Sequence, residues 1–151
     1  MDYWLLKMIV VATDEEYKLA KKRFKKQIII KTGVGGANVI RKLKRIPRWI
    51  KIINFGYVGS NNIPVGTEIK VGESRIYHPN VIYDDMSYTL DKESIIKCFT
   101  SNDFVLETGI KKPCVFDMEL AYICALGFKR VESIKIVSDN LSLKQYEEEI
   151  K

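Results

Sequence analysis

Histidine is almost missing from this chain of 151 residues: His78 stands alone. A histidine-based metal site is therefore not expected. A Ser-His-Asp triad would have to use His78, and no G-x-S-x-G stands near it. Cysteine is scarce too. Cys98, Cys114 and Cys124 form no C-x-x-C pair, and their odd number fits reduced thiols inside a cell better than a disulfide framework. No apolar run approaches the roughly 20 residues that span a bilayer. The opening MDYWLLKMIVVATDEE has an acidic residue at position 2 and no small-residue cleavage site, so it reads as a first strand rather than a signal peptide. Repeats, low-complexity tracts and linkers are lacking. With 46% apolar and 29% charged residues, residues 1–151 are read as one globular domain with no metal and no cofactor.

Charge is present but unevenly placed. Residues 1–51 hold 14 Lys/Arg against 4 Asp/Glu, while residues 52–151 hold 11 against 15. Such an excess can mark a surface for nucleic acid. It can equally reflect lysines on the wet faces of two early helices, which is the reading preferred here.

Periodicity gives the layout. Leu5–Ala12 reads as a buried strand, and T-x-x-E at Thr13 and Glu16 opens a helix to about Lys25. QIIIKT (27–32) is a second strand. A basic helix from Ala37 to Ile46 follows, stopped near Pro47. Trp49–Asn54 is a third strand, entering the glycine-containing loop FGYVGSNN. Strands are expected at Thr67–Val71 and Ser74–Tyr83, a helix at Asp91–Phe99, and a short strand at Phe104–Glu107. The nearly all-apolar Met118–Leu126 reads as a buried helix, capped by Asp117 and ended by Gly127. Ser133–Ser138 is the last strand, and the last helix starts at Leu143. This alternation predicts an α/β fold with a mixed, largely parallel sheet flanked by helices.

In such sheets ligands sit beyond the carboxyl ends of the strands. Four polar or glycine-rich features fall there: DEE after strand one, GVGG after strand two, NFGYVGS after strand three and SDN after the last. GVGG is not a dinucleotide fingerprint. The last glycine of G-x-G-x-x-G is replaced by Asn38, and no ribose-binding acid follows about twenty residues on. These glycines read as a tight turn where backbone approaches a ligand or a neighbouring strand.

Three acids have two readings each. Glu16 closes the capping box, or serves as a base kept ionised by the helix N-terminus. Glu119 reaches solvent from its helix end, or accepts hydrogen bonds from a ligand's hydroxyl pair. Asp139 caps the last helix or makes an Asx turn, or is a partly buried acid at a leaving group.

The order of segments resembles the nucleoside phosphorylase superfamily, and within it, as a compact member, the 5′-methylthioadenosine/S-adenosylhomocysteine nucleosidases. VVATDEEYKLAKK resembles that branch's opening strand and acidic turn. KTGVGGANVI resembles S-G-I-G-K-x-N, and IINFGYVGSNNIPVGTEIKV resembles I-N-T-G-x-A-G-G followed by V-G-D-I-V. CVFDMELAYICALG resembles V-E-M-E-A-x-A-I-A, and IKIVSDN resembles R-x-I-S-D. The resemblance implies a three-layer fold and a purine nucleosidase that cleaves an N-glycosidic bond. Glu16 would activate water and Asp139 would protonate the purine. Met118 and Glu119 would hold the ribose, and Gly56, Tyr57, Phe116 and Ser138 would lie beside the substrate. It also implies a cytoplasmic homodimer.

Departures are visible. Lys135 replaces the motif's Arg, Asp117 replaces its first Glu, and Tyr57 stands where a small serine is usual. The region before FDME is compressed, leaving Phe104, Val105 and Phe116 as base-contact candidates. A phosphate nucleophile beside Glu16 would cost about 4 kcal/mol at 4 Å and an effective dielectric of 20, so water is expected unless Lys31 or Arg75 points inward. The alternatives are a phosphorylase, a non-catalytic nucleoside- or nucleotide-binding protein on the same fold, and a nucleic-acid-binding protein.

Overall fold

A computed structural model describes residues 6–78 and 87–150. Its elements run β1 (Lys7–Val11), α1 (Asp14–Arg23), β2 (Ile28–Lys31), α2 (Gly36–Leu43), β3 (Lys51–Ser60), β4 (Glu68–Lys70), β5 (Glu73–Ile76), β6 (Ser87–Thr89), β7 (Lys97–Thr100), β8 (Cys114–Asp117), α3 (Leu120–Ala125), β9 (Val131–Asp139) and α4 (Leu143–Glu149). The strands form one mixed sheet. β1 pairs in parallel with β2 and β3, β3 with β9, and β7 with β5 and β8. The antiparallel pairs are β3–β8, β4–β9 and β5–β6. The expected α/β class, with its largely parallel sheet, is what the chain adopts.

The long strand β3 organises the molecule. One of its edges is paired with β9 from Ile52 to Gly59. The other is shared by two strands arriving from opposite directions: β1 covers Lys51–Asn54, and β8 reaches only Gly59 and Ser60. Between them the sheet splits, leaving the backbone edge of β3 around Phe55–Val58 without a strand. Buried backbone donors must be satisfied, so something other than a strand has to fill the gap.

Helices follow their local signals. Thr13 and Glu16 complete the capping box at α1, with Asp14, Glu15 and Glu16 in its first turn and Lys21, Lys22 and Arg23 in its last, as the helix dipole favours. α3 buries Leu120, Ala121, Ile123 and Cys124, and Gly127 ends it with φ +86°. The core lies on both sheet faces: Val39, Leu43 and Ile123 pack on one cluster, Ala20 and Phe55 on another.

Several expectations are corrected. FGYVGSNN is not a loop, because β3 continues through Ser60 with Val58 and Ser60 buried. Glycine inside a strand signalled a turn, yet at Gly56 it makes room for a side chain. Asp91–Phe99 is not a helix: Asp91 starts a turn, with its Oδ1 accepting from the Glu93 N–H, and β7 begins at Lys97. Ile95, 91% exposed, belongs to no apolar helix face. Phe104–Glu107 forms no strand, and CVFD, where no strand was expected, is β8. The β6 strand had no counterpart in the sequence reading. Leu5 of the first expected strand, and the end of the expected Ser74–Tyr83 strand, lie outside the described residues. All three cysteines are free and buried.

Candidate active site

The gap along β3 opens into a cavity of about 240 Å³ at the carboxyl ends of β1 and β9. Glu16, Glu119 and Asp139 all line it. Their residues are far apart in the chain and arrive on α1, the β8–α3 junction and the end of β9.

Glu16 fills the gap. Its Oε1 accepts from the Ala12 N–H at 2.8 Å and the Thr13 N–H at 3.2 Å, and its Oε2 accepts from the Tyr57 N–H at 2.8 Å. The side chain thus replaces a missing strand as acceptor for β3, while also closing the capping box. A carboxylate offers about four acceptor sites. Three are taken, and Oε2 keeps one for the cavity. Gly56 supports this directly: a Cβ there would stand 2.4 Å from Glu16 Oε2. Gly56 does not line the cavity itself; it makes room for the acid that does. Burial raises the Glu16 pKa, against the pull of Lys135 and the three N–H donors.

Asp139 is fully buried at the cavity wall. Its Oδ1 bonds Ser138 Oγ at 2.7 Å, and its Oδ2 accepts from the N–H groups of Leu141 at 3.0 Å and Ser142 at 3.3 Å. It is both an Asx-turn residue and a cavity residue. The helix cap is Ser142, whose Oγ accepts from the Gln145 N–H. Burial raises the Asp139 pKa, opposed by Ser138 and the two amides.

Glu119 precedes α3 rather than sitting within it. It is buried, and its Oε2 accepts from the Gly35 N–H at 2.8 Å. Gly33 and Gly35 both hold φ +91°, a region that favours glycine. The GVGG turn therefore presents an amide to a carboxylate across the cavity rim. Burial, reinforced by the nearby Asp117 charge, pushes the Glu119 pKa up to about 8.

Beneath these acids lies an ion pair that sequence reasoning did not foresee. Lys135 and Asp117 are both buried, with Nζ 3.4 Å from Oδ2. Asp117 also accepts from Thr100 Oγ1 at 2.5 Å and from the Leu120 N–H at 2.7 Å, which is its expected capping role. Burial by itself lowers the Lys135 pKa; Asp117, Cys98, Glu16 and Glu119 around it outweigh that and raise it. The two motif departures noted in the sequence, Asp for Glu and Lys for Arg, are thus the two halves of one contact. A signal was available: an acid and a base changed together.

The remaining expected residues also converge. Tyr57, Phe116, Met118 and Ser138 line the cavity, as do Phe104 and Val105. Phe116 is fixed by edge contacts to Tyr77, with ring centres 5.1 Å apart. Tyr146 of α4 is a wall residue the sequence did not single out; burial and the surrounding carboxylates push its hydroxyl pKa up to about 12. Neither Lys31, paired with Asp14, nor Arg75, paired with Glu73, lines the cavity. Among the described residues, no lysine or arginine lines it, and no group of three His, Cys, Asp or Glu side chains could hold a metal ion.

No protein-family model matches the sequence, and no curated protein matches it. Solved structures do match in three dimensions. The methylthioadenosine/S-adenosylhomocysteine nucleosidase of Streptococcus pneumoniae, in complex with 8-aminoadenine, superposes at a TM-score of 0.76 with 17% identity, over 97% of this chain and 92% of the other. A Helicobacter pylori variant holding 5′-methylthioadenosine in its active site gives 0.75 and 12%, over 95% and 90%. The Neisseria meningitidis enzyme with methylthio-immucillin-A gives 0.73 and 15%, over 96% and 92%. The fold is that of the nucleosidases. On that nucleosidase fold the segments matched by motif fall together: the DEE turn, the GVGG turn, FDME and SDN all border one cavity.

Proposed function

We propose that this protein is a purine nucleosidase that hydrolyses the N-glycosidic bond of a methylthioadenosine-like nucleoside. One observation carries the proposal: three carboxylates from separate elements meet at one cavity, each held by backbone amides in a different way. The solved structures of the same fold that hold adenine compounds support the substrate class.

In this reading the base stacks against Phe104, Val105 and Phe116, and the sugar lies over Met118. The free oxygen of Glu119 accepts from the ribose hydroxyls. As the C–N bond breaks, its electron pair passes to the departing base, which takes a proton at N7 from Asp139. The sugar becomes oxocarbenium-like. A water held by Glu16 Oε2 attacks its anomeric carbon and gives its proton to Glu16. The products are free base and free sugar, and solvent returns Glu16 and Asp139 to their starting states. Burial raises the pKa of both acids, which suits Asp139 as a proton donor; at Glu16 Lys135 and three N–H donors work against the rise and favour the ionised form that a base needs. Water is the nucleophile because an acidic wall without a free cation repels phosphate. The protein works as one domain in the cytoplasm, without cofactor, as a homodimer.

The test is incubation with a nucleoside panel with and without phosphate, reading free base. Release without phosphate, lost in Glu16→Gln and Asp139→Asn variants that keep their circular dichroism, supports the reading. Release that requires phosphate makes the protein a phosphorylase. Tight binding without release makes it a non-catalytic binding protein.

A further inference from the structure

The carboxylates gather at one end of the parallel strands; the cations gather at the other. α2 ends in the basic stretch through Arg45, and the turn that follows carries Trp49 before β3 begins at Lys51. Against this turn packs the loop between α3 and β9. The Lys129 N–H donates to the Arg48 carbonyl at 3.0 Å, and Arg130 Nη2 donates to the Trp49 carbonyl at 3.1 Å. Arg48 is a rivet rather than a free charge. Its guanidinium donates to the carbonyls of Lys44, Ile46 and Leu126 and sits 5.0 Å over the Phe128 ring.

Two segments eighty residues apart are thereby fused into one rigid surface. Lys42, Lys44, Arg45 and Lys129 are exposed on it. Among the described residues, none of these four has a carboxylate within ion-pair distance. From Gly33 to Thr67 the sequence contains no acid, and from Leu120 to Val131 it again contains none. Trp49, in the turn that Arg130 holds by its carbonyl, is 39% exposed. Beside them runs a groove whose charged lining is Lys129, Arg130 and the Lys51–Glu132 ion pair, 2.7 Å apart. Helix dipoles account for one or two bases at the end of α2. They do not account for Lys129, which the tertiary fold brings in from the acidic part of the chain.

We infer that this surface binds single-stranded nucleic acid, with the fused cationic turn and loop taking the phosphates and Trp49 offering a stacking platform for a base. Cations that track a backbone next to an exposed aromatic are the recurring device for this ligand. The surface lies about 20 Å from the cavity, six strand residues along β3 from Lys51 to Tyr57, so both sites can be filled at once.

The test is an anisotropy titration of the full chain with fluorescein-labelled dT20. Binding is expected at 50 mM salt and should weaken roughly 50-fold by 200 mM, as for four neutralised phosphates on a single strand. The triple variant Lys44→Glu, Arg45→Glu, Lys129→Glu should lose at least tenfold. Trp49→Ala should lose roughly five- to a hundredfold. Glu16→Gln should bind as the unchanged protein does. If the triple variant does not fold, the three single variants give the same loss in smaller steps. Absence of dT20 binding, indifference to the charge reversals, or stronger binding of duplex DNA or of phosphatidylserine vesicles than of dT20 would overturn the inference.

Discussion

The two ends of the parallel strands carry opposite charge in opposite ways. At the carboxyl end, Glu16, Asp117, Glu119 and Asp139 are buried, and each is held by backbone donors or by Lys135. At the amino end, Lys42, Lys44, Arg45 and Lys129 are exposed and, among the described residues, have no carboxylate within ion-pair distance. The difference teaches where electrostatics constrains structure. A buried charge must be compensated atom by atom, so the acid end tolerates little change. An exposed charge is screened by water and salt, so Lys42, Lys44, Arg45 and Lys129 are free to vary at little cost to the fold, unlike Arg48 and Arg130, which hold backbone carbonyls.

Substitutions should separate the two ends, beginning with the proposed catalytic pair. Glu16→Gln and Asp139→Asn are each expected to cut base release about 10²- to 10⁴-fold with the fold retained, measured by product chromatography and circular dichroism. Lys135→Met comes next. It leaves Asp117 as an uncompensated buried charge and should destabilise by about 3–5 kcal/mol in urea unfolding. Adding Asp117→Asn should return part of that loss, which a merely steric role for Lys135 would not do.

The third contrast is in pH. The Glu119 pKa rises on folding, to about 8 from 4.5. The stability it contributes is fully present below 4.5 and is lost as pH climbs through 8. Unfolding free energy should therefore fall across that window by up to about 1.4 kcal/mol per pH unit, and Glu119→Gln should flatten the fall. Gly56→Ala follows, with a cost of about 1–3 kcal/mol, because its methyl must displace the Glu16 carboxylate. Activity should drop with it, since the proposed base, Glu16, moves. The smallest effect belongs to the basic end. Lys44→Glu or Arg45→Glu should change unfolding free energy by no more than about 0.5 kcal/mol and leave base release unchanged. A large loss in either assay would erase the contrast between the two ends.

Much of the fold was legible where local signals were strong. The capping box at Thr13 and Glu16, the apolar run of α3 and the terminal strand and helix were all placed from composition and spacing. Misreadings fell where a local rule met a tertiary exception. Gly56 and Gly59 suggested a loop, yet β3 continues through both, with a register shift against β9 at Val58/Gly59, and Glu16 and Asp139 occupy the space their side chains would take. Ile95 and Ile96 suggested a helix, but Cys98 and Thr100 alternate inward on a four-residue strand. At the site, motif order pointed to Glu16, Glu119 and Asp139. Lys135 was missed as a neighbour although its change together with Asp117 was a signal, and Tyr146 was missed because nothing local marks a residue that reaches the cavity only after folding.

The sequence by itself determined which segments become strands and helices at both ends of the chain, and which acids stand at strand ends. Those follow from hydrophobic period and capping chemistry, which act over a few residues. Only the tertiary structure decided that β1 and β8 leave a gap along β3, that a glutamate closes it, and that a lysine from β9 lies beneath three acids. These contacts join residues tens of positions apart, and their energies depend on burial, which exists only once the chain has closed around them.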